Sequence, residues 1–264
     1  MEQIRFFLPG PTYVREDIRQ AMTRPSMGHR SSEFRTLFES LAPRLQQVFR
    51  TQREVLIATS SATMVMESAI ISLVSDRVLN LTAGAFSERW NLIAESLGKS
   101  ADRVSVPWGQ AIDPDLVQRA LERERYDAVT LVHNETSTGV IQPLDEITVV
   151  VRVVSDALLL LDGVSSLGGA RIETDEWEVD LLLTGSQKAL ALPPGLAFFC
   201  LSERAVERTY EIQHRGYYTD LKRYLEKHRA GGTITTPGLP QIFALDRQLD
   251  AILQEGVENR WRRH

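Results

Sequence analysis

The sequence contains a single cysteine, Cys200, in 264 residues, which excludes a disulfide framework within the chain. Its longest apolar runs, such as Leu196–Leu201, end far too soon to span a bilayer. Neither a G-x-G-x-x-G nor a P-loop pattern occurs, which argues against a dinucleotide or nucleoside triphosphate as ligand. The net charge of -5 gives no long-range attraction to nucleic acid or anionic lipid. We therefore expect a cytoplasmic protein without a secretory signal that binds neither nucleic acid nor a membrane.

Short apolar runs alternate with helical patterns along most of the chain. Such runs are typical of strands that are buried on both faces of a sheet. They are Val55–Ala58, Val78–Leu81, Ala128–Val132, Leu158–Leu161, Leu181–Leu183 and Leu196–Leu201. Their alternation with helices predicts an α/β fold with a mostly parallel sheet, where ligands bind beyond the carboxyl ends of the strands. The polar residues that follow each run are therefore the candidates for a site.

Two longer segments have apolar residues at the three- and four-residue spacing of amphipathic helices. The first begins near Ser32, and either Ser31 or Ser32 can cap it. The second begins at Gln241, and we predict that it continues as one helix to Arg263. The arginines at its end, Arg260, Arg262 and Arg263, are interpreted as a solvated helix end.

Lys188 follows the apolar run Leu181–Leu183 across a turn of small residues. Burial disfavours the ammonium form, so a shielded lysine at this position can present the neutral amine that attacks a carbonyl carbon. A surface lysine at the start of a helix is the alternative when the residue is considered alone.

Asp162 comes directly after the leucines Leu158–Leu161. An ionised carboxylate there is costly unless a cation meets it. The protonated pyridine nitrogen of pyridoxal 5'-phosphate (PLP) is one such cation, and the carboxylate keeps the ring able to accept electrons. An aspartate that caps the following turn is the alternative.

The segment Thr59–Thr63 lies between the strand Val55–Ala58 and the helical stretch Met64–Leu73. A helix start offers unsatisfied backbone amides and a favourable dipole to a phosphate group. Ser and Thr also cap many helices that bind nothing, so this segment alone leaves both interpretations open.

Four segments in this order resemble the class V aminotransferases, especially the alanine–glyoxylate and serine–pyruvate branch. They are Thr59–Thr63, Glu135–Gly139, Asp162–Gly169 and Gly185–Lys188, and Leu8–Thr12, Gly28–Ser31 and Thr236-Pro237 agree with the same family. The resemblance covers nearly the whole chain. It implies the PLP-dependent transferase fold of type I, whose large domain has a mostly parallel mixed sheet flanked by helices.

The resemblance also implies roles for individual residues. Lys188 would carry PLP as a Schiff base and act as general base and acid, and Asp162 would pair with the pyridine nitrogen. The other implied contacts are Ser61, Ala62, Thr63 and Gln187 at the phosphate, Phe86 and Val164 on the two faces of the ring, Thr136 near the ring hydroxyl, and Thr236 at the phosphate of a neighbouring subunit. Phe86 taken alone is more often plain core. The contact of Thr236 implies a homodimer with shared sites.

This sequence departs from the family pattern at two residues and in length. Ala62 stands where the phosphate loop usually has glycine, and Thr233 stands where close relatives often have an aromatic residue. In the family a smaller carboxy-terminal domain supplies the arginine that binds the substrate carboxylate. The resemblance therefore divides the chain into an amino-terminal arm (1–30), a PLP-binding large domain (31–240) and the start of a helix (241–264) that links to an absent small domain. We expect this form to bind PLP better than it transaminates.

The function predicted from the resemblance is amino transfer between alanine or serine and a 2-oxo acid such as glyoxylate or pyruvate. Four alternatives remain: a ureidoglycine-type transaminase, a lyase, a cysteine desulfurase, and a truncated, non-catalytic PLP-binding or dimerisation module. The desulfurase needs a mobile nucleophilic cysteine, whereas Cys200 lies in an apolar run. Desulfurases also tend to have histidine where this chain has Gln187.

Overall fold

The computed structural model describes residues 6–264, and its strands alternate between two apolar layers. Along the first strand, β1 (Val55–Ala58), for example, Val55 and Ile57 pack in one buried cluster whereas Leu56 and Ala58 pack in the other. Successive side chains of a strand point to opposite faces, so a strand that is covered by helices on both faces must be apolar throughout. This requirement explains the unbroken apolar runs of the sequence.

A seven-stranded sheet forms the centre of the described residues, in the order β1-β9-β8-β7-β4-β2-β3. Strand β9 pairs antiparallel with both β1 and β8, and the remaining neighbours are parallel. All of these strands except β9 therefore end at one edge of the sheet. The strands are β1 Val55–Ala58, β2 Arg77–Thr82, β3 Ser100–Ser105, β4 Ala128–Val132, β7 Leu158–Asp162, β8 Leu181–Gly185 and β9 Ala197–Leu201, and a separate two-stranded sheet consists of β5 Asn134–Glu135 and β6 Val140–Ile141.

Helices cover the two faces and connect the parallel strands. They are α1 Glu16–Ala21, α2 Ser32–Phe49, α3 Ala62–Leu73, α4 Ala85–Ser96, α5 Pro114–Arg123, α6 Leu144–Val154, α7 Glu203–Glu211, α8 Leu221–Arg229, α9 Leu239–Glu255 and α10 Val257–Arg263. Ser31 caps α2, since its hydroxyl accepts a hydrogen bond from the Phe34 amide at 3.2 Å. Within residues 6–264, none of these helices has both the length and the apolar character required for a membrane span.

The α/β fold with a mostly parallel mixed sheet, as predicted, is confirmed, and the strand β3 at its edge is the main element that the sequence does not indicate. Its residues Ser100–Ser105 are largely polar and partly exposed, as an edge strand can be. The prediction of one helix from Gln241 to Arg263 is wrong. Helix α9 ends at Glu255, and α10 begins at Val257 after Gly256, whose φ is 82°.

The prediction that Arg260 belongs to a solvated helix end is also wrong, since only 6% of this residue is exposed. Its guanidinium donates hydrogen bonds to the carbonyl of Ala189 and to the carboxylate of Glu255. Burial lowers the pKa of Arg260, while the hydrogen bond and the charge of Glu255 act in the opposite direction. The break at Gly256 turns α10 back so that Arg260 reaches the turn that follows Lys188.

Candidate active site

Nine residues that the sequence singled out line one pocket at the edge where the parallel strands end. They are Ser61, Ala62, Thr63, Phe86, Thr136, Asp162, Val164, Gln187 and Lys188. They come from the ends of β1, β2, β4, β7 and β8 or from the segments that follow these strands, so five connections of the sheet contribute to the same pocket. This is the position at which open α/β sheets bind their ligands.

Lys188 lies in the turn after β8 and is only partly shielded from solvent. Its Nζ donates a hydrogen bond to the carbonyl of Pro9 at 2.8 Å. Burial lowers the pKa of Lys188 below its ordinary value, whereas the nearby charge of Asp162 acts in the opposite direction. The neutral amine is therefore more accessible than on a free lysine.

The amino-terminal segment Pro9–Thr12 forms hydrogen bonds with the turn that contains Lys188. The Thr12 amide donates to the Gln187 carbonyl at 2.9 Å, and the Thr12 hydroxyl donates to the Lys188 carbonyl at 3.0 Å. A Cβ on Gly10 would lie 2.8 Å from the Cδ of Lys188, so only glycine permits this close approach. The amino-terminal segment therefore fixes the backbone and the amine of Lys188 together.

Asp162 is the last residue of β7 and is 5% exposed. Its Oδ1 accepts a hydrogen bond from the Val164 amide at 2.8 Å, so it does cap the following turn as the alternative interpretation proposed. Burial nevertheless raises the pKa of Asp162 to about 6, against the lowering effect of that bond. In the described part of the chain, no lysine or arginine nitrogen lies within ion-pair distance of this carboxylate. A cation placed in the pocket would supply the missing partner.

The start of α3 presents hydrogen-bond donors to the same pocket. Ser61 is its N-cap residue, but the Ser61 side chain caps no backbone amide. Within residues 6–264 the amides of Ala62 and Thr63 have no acceptor, and the buried hydroxyl of Ser60 has no hydrogen-bond partner. No acidic residue occupies the first turn. Donors without partners at a helix start form a site for an anion.

Phe86 begins α4 at the side of the pocket that faces Lys188, with its ring centroid 5.8 Å from the Lys188 Nζ. The carboxylate of Glu135 fixes this turn, because it accepts from the Phe86 amide at 3.3 Å and from the Ser87 amide at 3.0 Å. The hydroxyl of Ser137 also donates to it, at 2.6 Å. Although burial by itself raises the pKa of Glu135, these hydrogen bonds lower it below its usual value.

Gly84 allows the turns after β2 and β4 to approach each other. A Cβ on Gly84 would lie 2.5 Å from the Ser137 Oγ and 2.6 Å from the Glu135 Cγ, so the side chains of Ser137 and Glu135 would have to move from these positions. The pocket therefore depends on a buried carboxylate and a glycine that the sequence did not identify as site residues.

Thr136 and Ser165 place two hydroxyls at the floor of the pocket, and their oxygen atoms form a hydrogen bond with each other. Both residues also border a wider cleft on the other side of Lys188, where Arg15, Arg260 and Arg263 contribute positive charge. This cleft opens directly onto the Lys188 amine. It offers space for a second molecule beside the pocket.

Thr236 does not lie at this pocket. It lines a separate depression with Thr233, and the charged residues of that depression are His29, Arg30, Arg35 and Lys227. Within one subunit, Thr236 and Lys188 therefore belong to different sites.

The match to known proteins extends over nearly the whole chain. Residues 14–264 match the family model described as Aminotransferase class-V. The chain belongs to the class V aminotransferase family. A relative from Methanocaldococcus jannaschii, named an uncharacterized aminotransferase, is 41% identical over 97% of this chain and 68% of its own length. The serine–glyoxylate aminotransferase of Methylorubrum extorquens is 33% identical over 98% of this chain and 67% of its own length.

The crystal structure of an alanine–glyoxylate aminotransferase from Nostoc sp. shares the fold of this class V aminotransferase. The TM-score is 0.93 at 33% identity, and the match covers 100% of this chain and 72% of the Nostoc chain. The type I transferase fold that the resemblance implied is thus confirmed by similar structures.

Five residues at the pocket of this class V aminotransferase were not identified from the sequence: Met66, Arg89, Val132, Asn134 and Ser165. A signal for two of them exists. Arg89 follows Phe86 by one helical turn, so both side chains lie on one face of α4. Ser165 belongs to the segment Asp162–Gly169 that carried the resemblance. The other three are ordinary strand or helix residues whose position only the fold reveals.

Proposed function

We propose that this chain binds PLP at Lys188 and transfers an amino group from a small amino acid to a 2-oxo acid, with glyoxylate or pyruvate as acceptor. The observation that carries the proposal is the convergence of three groups on one pocket. Within the described residues these groups are an amine of lowered pKa at Lys188, a buried carboxylate at Asp162 that forms no ion pair, and the donors at the start of α3. Class V aminotransferases are PLP-dependent enzymes, and these three groups match the aldehyde, the pyridine nitrogen and the phosphate of PLP.

When bound, PLP supplies an aldehyde that condenses with amines and a ring that withdraws electrons from the Cα of the substrate. The residues of this chain bind and orient it. The hydroxyls of Ser61 and Thr63 and the amide of Ala62 bind the phosphate together with Gln187. Phe86 and Val164 shield the two faces of the ring from water, and Thr136 orients its hydroxyl side.

Lys188 has two tasks in this proposal. Its neutral amine would be the attachment point for the aldehyde, and its Nζ would hold and return the proton at the substrate Cα. The carbonyl of Pro9, 2.8 Å from that nitrogen, keeps the amine within the site. Asp162 would hold the protonated ring nitrogen, and this cationic partner would favour the ionised carboxylate despite its burial.

The named relatives support the choice of substrates. Serine and glyoxylate, and alanine and glyoxylate, stand in the names of the two glyoxylate aminotransferases described above. In this chain, three arginines and one carboxylate line the cleft beside Lys188, namely Arg15, Arg260, Arg263 and Glu255. Glu255 pairs with Arg260 and Arg263, and the excess of positive charge suits a small carboxylate. We place the amino acid and the 2-oxo acid in this cleft.

We further propose that two copies of the chain share their sites, in the cytoplasm that the single cysteine favours. The position of Thr236, in a basic depression away from Lys188, supports a role toward the phosphate in a neighbouring subunit. Sedimentation should therefore give a dimer. A monomer that binds PLP with full affinity would contradict the shared site.

Two competing functions make different predictions. A cysteine desulfurase needs a mobile thiolate, but Cys200 lies within β9, and burial raises the pKa of its thiol to about 12. A non-catalytic PLP-binding module would bind the cofactor but would not respond to amino acids. Turnover separates that module from the aminotransferase.

Borohydride reduction of the PLP-loaded chain tests the attachment point. The chain has four lysines, Lys99, Lys188, Lys222 and Lys227, so peptide mass spectrometry can distinguish them. We expect the reduced cofactor on Lys188, its loss in Lys188→Ala, and its retention in Lys222→Ala. Addition of alanine or serine should convert the absorbance of the cofactor to that of the pyridoxamine form. Trapping on another lysine, or no response to any amino donor, would overturn the proposal.

A further inference from the structure

Arg89 contacts both Phe86 and the first turn of α3 at the edge of the pocket. It lies in α4 one turn after Phe86, and its guanidinium carbon is 4.9 Å from the centroid of the Phe86 ring. Its Nη1 donates a hydrogen bond to the Thr63 hydroxyl at 3.4 Å. The guanidinium is therefore held between the ring of Phe86 and the first turn of α3.

Arg89 forms no ion pair in the described residues, although its charge acts to lower the pKa of Asp162 across the pocket. In residues 6–264 no carboxylate oxygen lies within 4.0 Å of its guanidinium, although Arg89 is half-buried and 24 ion pairs occur elsewhere. Among the described residues that line the pocket, Lys188 is the other cation. The described lining thus has two cations, Arg89 and Lys188, and one carboxylate, Asp162, which forms no ion pair with Arg89. This balance of charge favours an anion as the ligand of the pocket.

The neighbouring groups indicate what kind of anion this is. Within residues 6–264 the amides of Ala62 and Thr63 are donors without acceptors, and they lie at the helix start that Arg89 contacts through Thr63. A phosphate group has enough oxygen atoms to accept from amides, hydroxyls and a guanidinium together. A single carboxylate would leave some of these donors unsatisfied.

We propose that Arg89 binds the phosphate group of PLP directly, as a charged ligand beside the start of α3. The contact with Phe86 orients the guanidinium plane, so the residue that covers the ring also positions the residue that neutralises the phosphate. This inference rests on the proposed function, because it assigns Arg89 a role toward the same cofactor.

The test compares two ligands that differ only in the phosphate, PLP and pyridoxal. Their dissociation constants are measured by absorbance titration on the full chain, for the wild type, Arg89→Gln, Arg89→Lys and the control Arg103→Gln. Arg103 is an exposed arginine that pairs with Glu95, so its variant removes the same charge away from the pocket. Inhibition of PLP loading by inorganic phosphate provides a second measurement.

We expect the wild type to prefer PLP over pyridoxal, and this preference should fall roughly tenfold or more in Arg89→Gln, since charge-assisted hydrogen bonds are the strong ones. Arg89→Lys should fall between the two, because lysine keeps the charge but lacks the guanidinium fork. Arg103→Gln should retain the full preference. The inhibition constant of inorganic phosphate should rise in Arg89→Gln alone.

Several outcomes would overturn the inference. An unchanged preference for PLP in both Arg89 variants would do so and would leave the proposed function intact. An equal loss of PLP and pyridoxal binding would show that Arg89 only supports Phe86. A selective rise of the KM for aspartate over that for alanine, with PLP binding unchanged, would assign Arg89 to a substrate carboxylate. If the wild type bound neither ligand, the proposed function itself would fail. If Arg89→Gln does not fold, the ratio of the dissociation constants for pyridoxal and PLP in Arg89→Lys still tests the inference.

Discussion

The carboxylate of Glu135 accepts a hydrogen bond from the backbone amide of Phe86 at 3.3 Å and thereby joins the segments that follow β2 and β4. Glu135 is fully buried, yet its carboxylate receives donors from Phe86, Ser87 and Ser137. The position of the aromatic ring is thus set by a charge that itself lies outside the pocket.

Glu135→Gln should reduce both stability and cofactor binding. The amide keeps the shape of the side chain, but its nitrogen cannot accept hydrogen bonds, and each buried donor left without an acceptor costs about 1–3 kcal/mol. Urea unfolding measures the first effect, and circular dichroism in the absorption band of bound PLP measures the second. The exposed Glu146→Gln is the control and should differ little from wild type. Identical PLP spectra for both variants would contradict the role of Glu135.

Asp162→Asn should stabilise the cofactor-free chain at neutral pH. Burial raises the pKa of Asp162 from 3.8 to about 6, so the folded chain binds a proton more tightly than the unfolded chain. This carboxyl therefore imposes no penalty below about pH 4, and its destabilising effect grows as the pH rises through 6, to about 3 kcal/mol.

Unfolding measured in urea between pH 4 and pH 8 tests this. The advantage of Asp162→Asn over wild type should increase with pH, whereas the exposed Asp156→Asn should show no such trend. Parallel pH profiles of unfolding free energy for wild type and Asp162→Asn would contradict the raised pKa of the Asp162 carboxyl. With PLP bound, the same variant should lose most of its turnover, because asparagine cannot keep the ring nitrogen protonated.

Gly84→Ala should disrupt the pocket by steric overlap. The added methyl would lie 2.5 Å from the Ser137 Oγ, and such overpacking typically costs about 1–3 kcal/mol. Gly28→Ala is the matched control, since its added methyl would lie 3.9 Å from the nearest atom, Ser31 Cβ. Thermal unfolding should show a lower midpoint for Gly84→Ala alone. A midpoint equal to that of the control would mean that the turn adapts freely.

Arg260→Ala should weaken the turn that carries Lys188. The substitution removes the donor to the Ala189 carbonyl and leaves Glu255 without one of its two arginine partners. Arg262→Ala is the control, because Arg262 is exposed and bonds to Asn259 within its own helix. Limited proteolysis should cut the region of residues 186–195 faster in Arg260→Ala than in the control. Equal rates would show that α10 does not restrain this turn.

The strands that the sequence predicts most clearly are those covered by helices on both faces. A strand covered on both faces must be apolar throughout, so runs such as Leu158–Leu161 are visible without a structure. The edge strand Ser100–Ser105 is covered less, and its mixed sequence carries no comparable pattern. Because the buried strands are recognisable and parallel strands end at one edge of the sheet, the polar residues that follow them can be assigned to one pocket from the sequence.

The supporting residues could not be predicted in this way. The role of Glu135 depends on how closely two turns approach each other, and that of Arg260 on how α10 folds back after Gly256. Both are properties of tertiary structure rather than of local spacing. A charged residue near the end of a helical pattern is usually solvated, which is why Arg260 was interpreted wrongly.

The pairing of β1 with β9 has a consequence for the order in which the protein can fold and bind PLP. Strand β1 lies at the edge of the sheet and its sheet neighbour is β9, with Ala58 opposite Ala197. Because synthesis proceeds from the amino end at about 5–20 residues per second, β1 leaves the ribosome well before its partner strand exists. The loop that follows β1 therefore acquires its final position late. A nascent chain should be unable to retain PLP until β9 has emerged, so loading with PLP follows completion of the sheet.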